Sequence, residues 1–203
     1  MQNLYSISTF PVFYIFWNLF LLIVPFLAYL AMRRFWEKNG YGKIHQKVIA
    51  GILFLIWLLF MPNTAYVITD IKHLFSGCGL NFYQICPESV WTIFFLFTYA
   101  CFGWVAFVLF LGGMKDLIER SVGKKTAAVF VFAVIPLLSL GILLGLIDRW
   151  NSWNFFVSPG RILSHVLIYV TDLNRFLNLF LTAVFLYILY FGGNYLFGGK
   201  NKL

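Results

Sequence analysis

Five stretches of this chain, at 11–32, 48–69, 90–114, 126–147 and 176–197, are apolar over about 20 residues each. That is the length a helix needs to bridge a hydrocarbon core roughly 30 Å thick. Backbone N–H and C=O groups in lipid must be bonded within their own segment. None of the five runs alternates with the period of two that a barrel strand shows, so helix is the form that remains. A soluble domain is close to half apolar and about a quarter charged. Here 62% of 203 residues are hydrophobic and 11% charged, too few polar side chains to cover a water-facing globule. A soluble enzyme, a disordered tail and a disulfide-rich secreted domain are thereby excluded. The expected fold is an all-α polytopic membrane helix bundle. It forms a single membrane domain over 1–203, with five transmembrane helices and an outer amphipathic helix at 160–175.

Orientation follows from where Lys and Arg fall in the short loops. Arg33, Arg34, Lys38, Lys43 and Lys47 lie between the first two runs, Lys115, Arg120, Lys124 and Lys125 between the third and fourth, and Lys200 and Lys202 in the tail. With five spans these eleven share one side, where Glu37, Asp116 and Glu119 oppose them and leave the whole formal excess of +8. On the other side Lys72, Arg149, Arg161 and Arg175 are cancelled by Asp70, Glu88, Asp148 and Asp172. The positive-inside rule puts the N-terminus outside and the C-terminus on the cytoplasmic side. The first run has no basic flank before it and Arg33-Arg34 after it, which reads as a retained anchor rather than a cleaved signal. The basic residues flank spans, so nucleic-acid binding is not expected of them. They suit the bilayer itself and its anionic lipids.

Three outer segments break the apolar rule. In the first, Pro62 removes an amide donor and crowds the preceding turn, so the helix should break or kink there. If helix resumes, Asn63, Tyr66, Asp70 and His73 fall within about 80° of arc. A polar stripe inside the outer leaflet must face protein or water. In the second, 160–175, a helix would set Arg161, His165, Tyr169, Asp172 and Arg175 within about 120° of arc, with Leu163, Val166, Leu167 and Val170 opposite. It either lies in the interface or carries the last span outward as one long helix. Between them, Asp148 to Asn154 mixes two tryptophans with Asp, Arg, Asn and Ser, more hydrogen-bonding capacity than interfacial anchoring calls for. Elsewhere, Pro136 should kink the fourth span, and Gly141 and Gly145 form a small-xxx-small pair that reads as packing first.

Met61-Pro62-Asn63-Thr64-Ala65-Tyr66-Val67-Ile68-Thr69-Asp70-Ile71-Lys72-His73-Leu74 resembles the Leu-Pro-Asn-x-x-Tyr-x-x-Thr-Asp-x-x-His-Leu signature of a bacterial multi-span family, domain of unknown function thirteen sixty-one. Arg149-Trp150-Asn151-Ser152-Trp153-Asn154 is similar to its second signature, Arg-Trp-Asn-Ser-Trp-Asp. The resemblance covers most of the chain. Met61 stands where Leu is usual and Asn154 where Asp is usual. What the resemblance implies is class, topology and a place in a bacterial cytoplasmic (inner) membrane, without an activity.

Three kinds of function fit these residues. An enzyme opening to the outer leaflet would use Asp70, His73 and His165 as acid–base groups or as ligands of a divalent metal. No motif in the sequence requires such a metal. Asn63, Tyr66, Arg149, Asn151, Arg161, Asp172 and Arg175 would bind substrate, the arginines clamping a phosphate or an anionic lipid or envelope headgroup. A transporter or channel component would exploit the Pro-broken helix. A structural accessory of an envelope complex would use the same charges as fasteners, Asp70 pairing with Lys72 or an arginine. Cys78 and Cys86, on the outer side, either pair, for roughly 2–3 kcal/mol of stabilisation, or stay as two thiols. Cys101 reads as a small packing residue.

Overall fold

The computed structural model describes residues 12–39, 44–70 and 90–198, and these contain helices and no strand. In chain order they are α1 (Val12–Asn39), α2 (Ile44–Phe60), α3 (Pro62–Thr69), α4 (Val90–Val122), α5 (Lys124–Leu146), α6 (Asn154–Val157), α7 (Pro159–Thr171) and α8 (Leu173–Gly198). Among the described residues five spans are long and apolar enough to cross a membrane: α1, α2 with α3, α4, α5 and α8. Their alternation brings the start of α1, the end of α3, the 147–153 turn, α6, α7 and the start of α8 to one end of the bundle.

α5 is the most enclosed span, with 44% of its apolar window buried, because it packs on α4 and α8 and also carries α3 and α7. The core beneath it joins Trp57, Met61, Phe107, Leu111, Met114, Ile135, Leu138, Leu186 and Tyr190. Outward, the spans expose large apolar side chains along their length, among them Phe20, Ile52, Phe97, Leu109, Phe132, Leu181 and Ile188. A soluble monomer does not leave so much apolar surface uncovered. On these helices it is the surface that lipid would meet.

Pro62 bends the second span without ending it. Met61 keeps helical angles (φ −58°, ψ −37°), and Pro62 takes the first position of α3, where a missing N–H costs nothing. Two neighbouring side chains donate into the bend: Asn63 Nδ2 to the Phe60 carbonyl at 3.1 Å and Thr64 Oγ1 to the Met61 carbonyl at 2.8 Å. α3 is then clasped by two glycines. A Cβ at Gly103 of α4 would lie 2.6 Å from the Thr64 carbonyl oxygen, and one at Gly141 of α5 would lie 2.6 Å from Pro62 Cγ. Gly145 meets the Tyr66 ring and the Trp150 carbonyl at ordinary contact distance, so the glycine pair of α5 packs within the chain. α5 runs through Pro136 as one helix.

The 160–175 segment divides. α7 stops at Thr171, Asp172 turns extended (φ −93°, ψ 122°), and α8 starts afresh. Asp172 Oδ1 accepts from the Arg175 backbone N–H at 2.8 Å, an N-cap for α8. α7 is therefore a separate helix that leaves Leu163, Leu167 and Val170 exposed on its apolar side.

Candidate functional site

A cavity of about 930 Å³ opens at the polar end of the bundle, between α1 and α5 and above α3. Both walls stand on α3: α1 packs against α2, α3 and α4, while α5 packs against α3, α4, α7 and α8. Leu21, Leu58, Leu137, Leu140 and Leu144 line its apolar part, and Ile162 and Val166 of α7 close it from the side. Much of its polar lining comes from α3 and from the turn after α5. α3 supplies Asn63, Tyr66 and Asp70, and the turn after α5 supplies Arg149, Trp150, Asn151, Ser152 and Trp153. The segments touch where Asn63 Nδ2 reaches Ser152 Oγ at 3.4 Å.

Asp70 is 2% exposed and accepts from Asn18 Nδ2 of α1 at 3.1 Å. The buried hydroxyl of Tyr99, on α4, stands beside the same pair. Tyr66 lies within the fields of both Asp70 and Arg149. Trp17 meets Trp153 edge to face at 6.2 Å, and both line the cavity at its rim.

Arg149 is the unusual residue of the site. Its backbone is left-handed (φ 59°), and it is the one non-glycine with positive φ among the described residues. Just beyond a helix end such a position normally holds Gly or Asn; another L-residue costs roughly 1–2 kcal/mol there. The turn is closed by the Trp150 N–H on the Leu144 carbonyl at 3.0 Å. Strained residues of this kind gather at functional sites. Among the described residues the Arg149 guanidinium has no ion pair or hydrogen bond, although it lines the cavity. The indole N–H of Trp150 is also buried without an acceptor.

A second polar cluster lies behind Trp150 and is centred on Asp148, whose side chain is 6% exposed. It accepts from the Tyr169 hydroxyl at 2.9 Å and from Arg175 Nη1 at 3.1 Å, and His165 Nδ1 stands 3.3 Å away. Arg175 Nη1 also donates to the Tyr169 oxygen at 3.1 Å. Burial, and then the hydrogen bond to Asp148, push the Tyr169 phenol up to about 12. His165 meets the Trp150 ring edge-on at 5.5 Å. Arg161 caps the other side, its guanidinium 5.6 Å from the Trp150 centroid and bonded to Ser158.

The expected site residues thus separate. Asn63, Tyr66, Asp70, Arg149 and Asn151 line one cavity. Arg161, His165 and Arg175 serve the Asp148 cluster and the Trp150 ring, and Asp172 caps α8. Asn154 accepts the Asn151 backbone N–H at 2.8 Å through its amide oxygen, a contact that needs no carboxylate. His73, Lys72, Cys78 and Cys86 lie outside the described residues. Among the described residues no three His, Cys, Asp or Glu side chains gather as metal ligands.

Asn18 and Trp17 were not expected at the site. The signal for Asn18 was an amide inside an otherwise apolar span, which must find a polar partner.

Comparison with curated proteins and with solved structures returns no match. The family described as "Protein of unknown function (DUF1361)" matches residues 17–190, a stretch that holds every lining residue of the cavity. The chain belongs to that family, as a multi-span member whose two polar segments meet at one cavity.

Proposed function

We propose that the cavity binds an amphiphile with an anionic head, taken from the outer leaflet of a bacterial cytoplasmic membrane. The observation that carries this reading is Arg149: its backbone is left-handed, its guanidinium has no ion pair or hydrogen bond among the described residues, and it lines a cavity whose apolar lining is largely leucine. A guanidinium grips phosphate or carboxylate in bidentate fashion. Leucine walls accept an acyl or prenyl chain, and α7 lies alongside with an apolar face exposed for the interface. The leucines also argue against a polar conduit leading inward, as transport of a small solute would require. The orientation rests on the charge asymmetry, with the +8 excess assigned to the cytoplasmic side and the cavity to the outer side.

Trp17, Trp150 and Trp153 line the cavity and report on it. In phosphatidylcholine nanodiscs, phosphatidic acid with brominated chains should quench their fluorescence at lower mole fraction than brominated phosphatidylcholine. Arg149→Gly should remove that preference. Equal quenching by the two lipids would sink the proposal.

A further inference from the structure

The geometry points to a narrower ligand class: a phosphodiester whose second ester is a polyhydroxylated group, such as glycerol, inositol or a sugar. This inference rests on the anionic-head reading and adds to it the chemistry of the rest of the head.

The first part of the argument is charge. Arg149 is the one cation lining the cavity among the described residues, and Asp70 lines it as well. A phosphomonoester carries about −1.5 to −2 at neutral pH, more than a single guanidinium neutralises, and its excess would sit beside a carboxyl group in a setting where charges interact strongly. A phosphodiester carries one negative charge and matches one arginine.

The second part is the remaining polar lining, which is neutral. The Asn151 side chain makes no hydrogen bond among the described residues and is exposed to the cavity mouth. Asn63 spends its Nδ2 on Phe60 and Ser152, which leaves its amide oxygen as an acceptor. The Asn151 amide and the Asn63 amide oxygen together offer both donors and acceptors. Hydroxyl groups, which both give and take a hydrogen bond, match that set. An ammonium head offers donors only and would leave the N–H groups of the Asn151 amide unmet. The crossed rings of Trp17 and Trp153 at the rim add apolar faces suited to the C–H side of a polyol or sugar ring.

Two sources carry this chemistry, a diacyl glycerophospholipid and a single-chain polyprenyl phosphosugar. The test uses the full-length protein in phosphatidylcholine nanodiscs, with brominated phosphatidic acid as the displaced probe. Competitors are phosphatidylglycerol, phosphatidylinositol, a polyprenyl-phosphoryl hexose, phosphatidic acid and phosphatidylethanolamine. At least one polyol phosphodiester should displace the probe about ten-fold more effectively than phosphatidic acid, and whether a diacyl or a polyprenyl form leads identifies the source. Asn151→Ala, at an exposed position of the lining, should reduce that ratio several-fold, the polyol phosphodiesters losing more affinity than phosphatidic acid. If phosphatidic acid binds as tightly as every diester, the polyol inference fails and the anionic-head reading stands. If phosphatidylethanolamine is preferred, or no anion outcompetes phosphatidylcholine, both fall.

Discussion

Two polar clusters lie side by side at one end of this bundle, with Trp150 between them, and they are built on opposite principles. Around Asp148 every charge has a counterpart: Tyr169, Arg175 and His165 converge on one buried carboxylate and tie the end of α5 to α7 and α8. Around the cavity the groups are held but not used up. Asn18 steadies Asp70, Ser152 steadies Asn63, and the Arg149 guanidinium is left without an ion pair or hydrogen bond among the described residues. A closed network of this kind fixes structure. An open one on a cavity wall, with a strained backbone at its one cation among the described residues, fits the ligand binding proposed for the cavity.

The largest effect should come from breaking the closed cluster. Asp148→Ala leaves the buried Tyr169 hydroxyl without its acceptor, a loss of about 1–3 kcal/mol, and removes the tie between α5 and two later helices as well. Thermal unfolding in detergent should show a total destabilisation of at least about 2 kcal/mol. Unchanged stability would mean that the cluster is not the fastener its geometry suggests.

Arg149→Gly should separate the two regions most cleanly. Binding of an anionic amphiphile should weaken by about 10- to 100-fold, the value of charge-assisted hydrogen bonds of about 1.5–3 kcal/mol. Stability should stay the same or rise slightly. Glycine relieves roughly 1–2 kcal/mol of left-handed strain, offset by about 0.4–1 kcal/mol from the freer unfolded chain. A variant that unfolded early while still binding would reverse the roles assigned to the two clusters.

Tyr169→Phe should cost about 1 kcal/mol at neutral pH, one net hydrogen bond, and should change the response to alkali. The folded state favours the neutral phenol, raised from its ordinary value near 10 to about 12. That preference stabilises fully below pH 10 and is lost as pH rises through 12. Between pH 9 and 11.5 the wild-type protein should therefore lose more stability than the phenylalanine variant. Parallel losses would show that Tyr169 ionises no differently in the folded and unfolded chain.

Much of the architecture was legible from apolar length alone: the five spans, and the bend at Pro62, depend on local chemistry that a sequence displays. The division between the two clusters was not. Arg161, His165, Tyr169, Asp172 and Arg175 share an arc only if one helix runs through them, and that helix breaks at Asp172. The partner that gathers three of them is Asp148, on another helix end, which no periodicity within 160–175 can reveal. Asn18 and Tyr99 reach Asp70 from α1 and α4, a convergence set by how spans pack. The left-handed turn at Arg149 was equally hidden, since arginine there goes against the usual residue preference.

The smallest expected effect is at Arg161, and it asks where the boundary between the clusters lies. Its guanidinium sits over the outer face of the Trp150 ring, which also lines the cavity, but Arg161 itself is exposed and is not among the lining residues. A cation–π contact at an exposed site is worth about 0.5–1 kcal/mol, and the bond to Ser158, at 3.3 Å on the surface, adds little. Arg161→Ala should therefore lower stability by no more than about 1 kcal/mol and change anionic amphiphile affinity less than two-fold. A loss of affinity rivalling that of Arg149→Gly would mean that Arg161 swings across Trp150 to reach the ligand. The site would then have two cations, and the single negative charge inferred for its ligand would have to be given up.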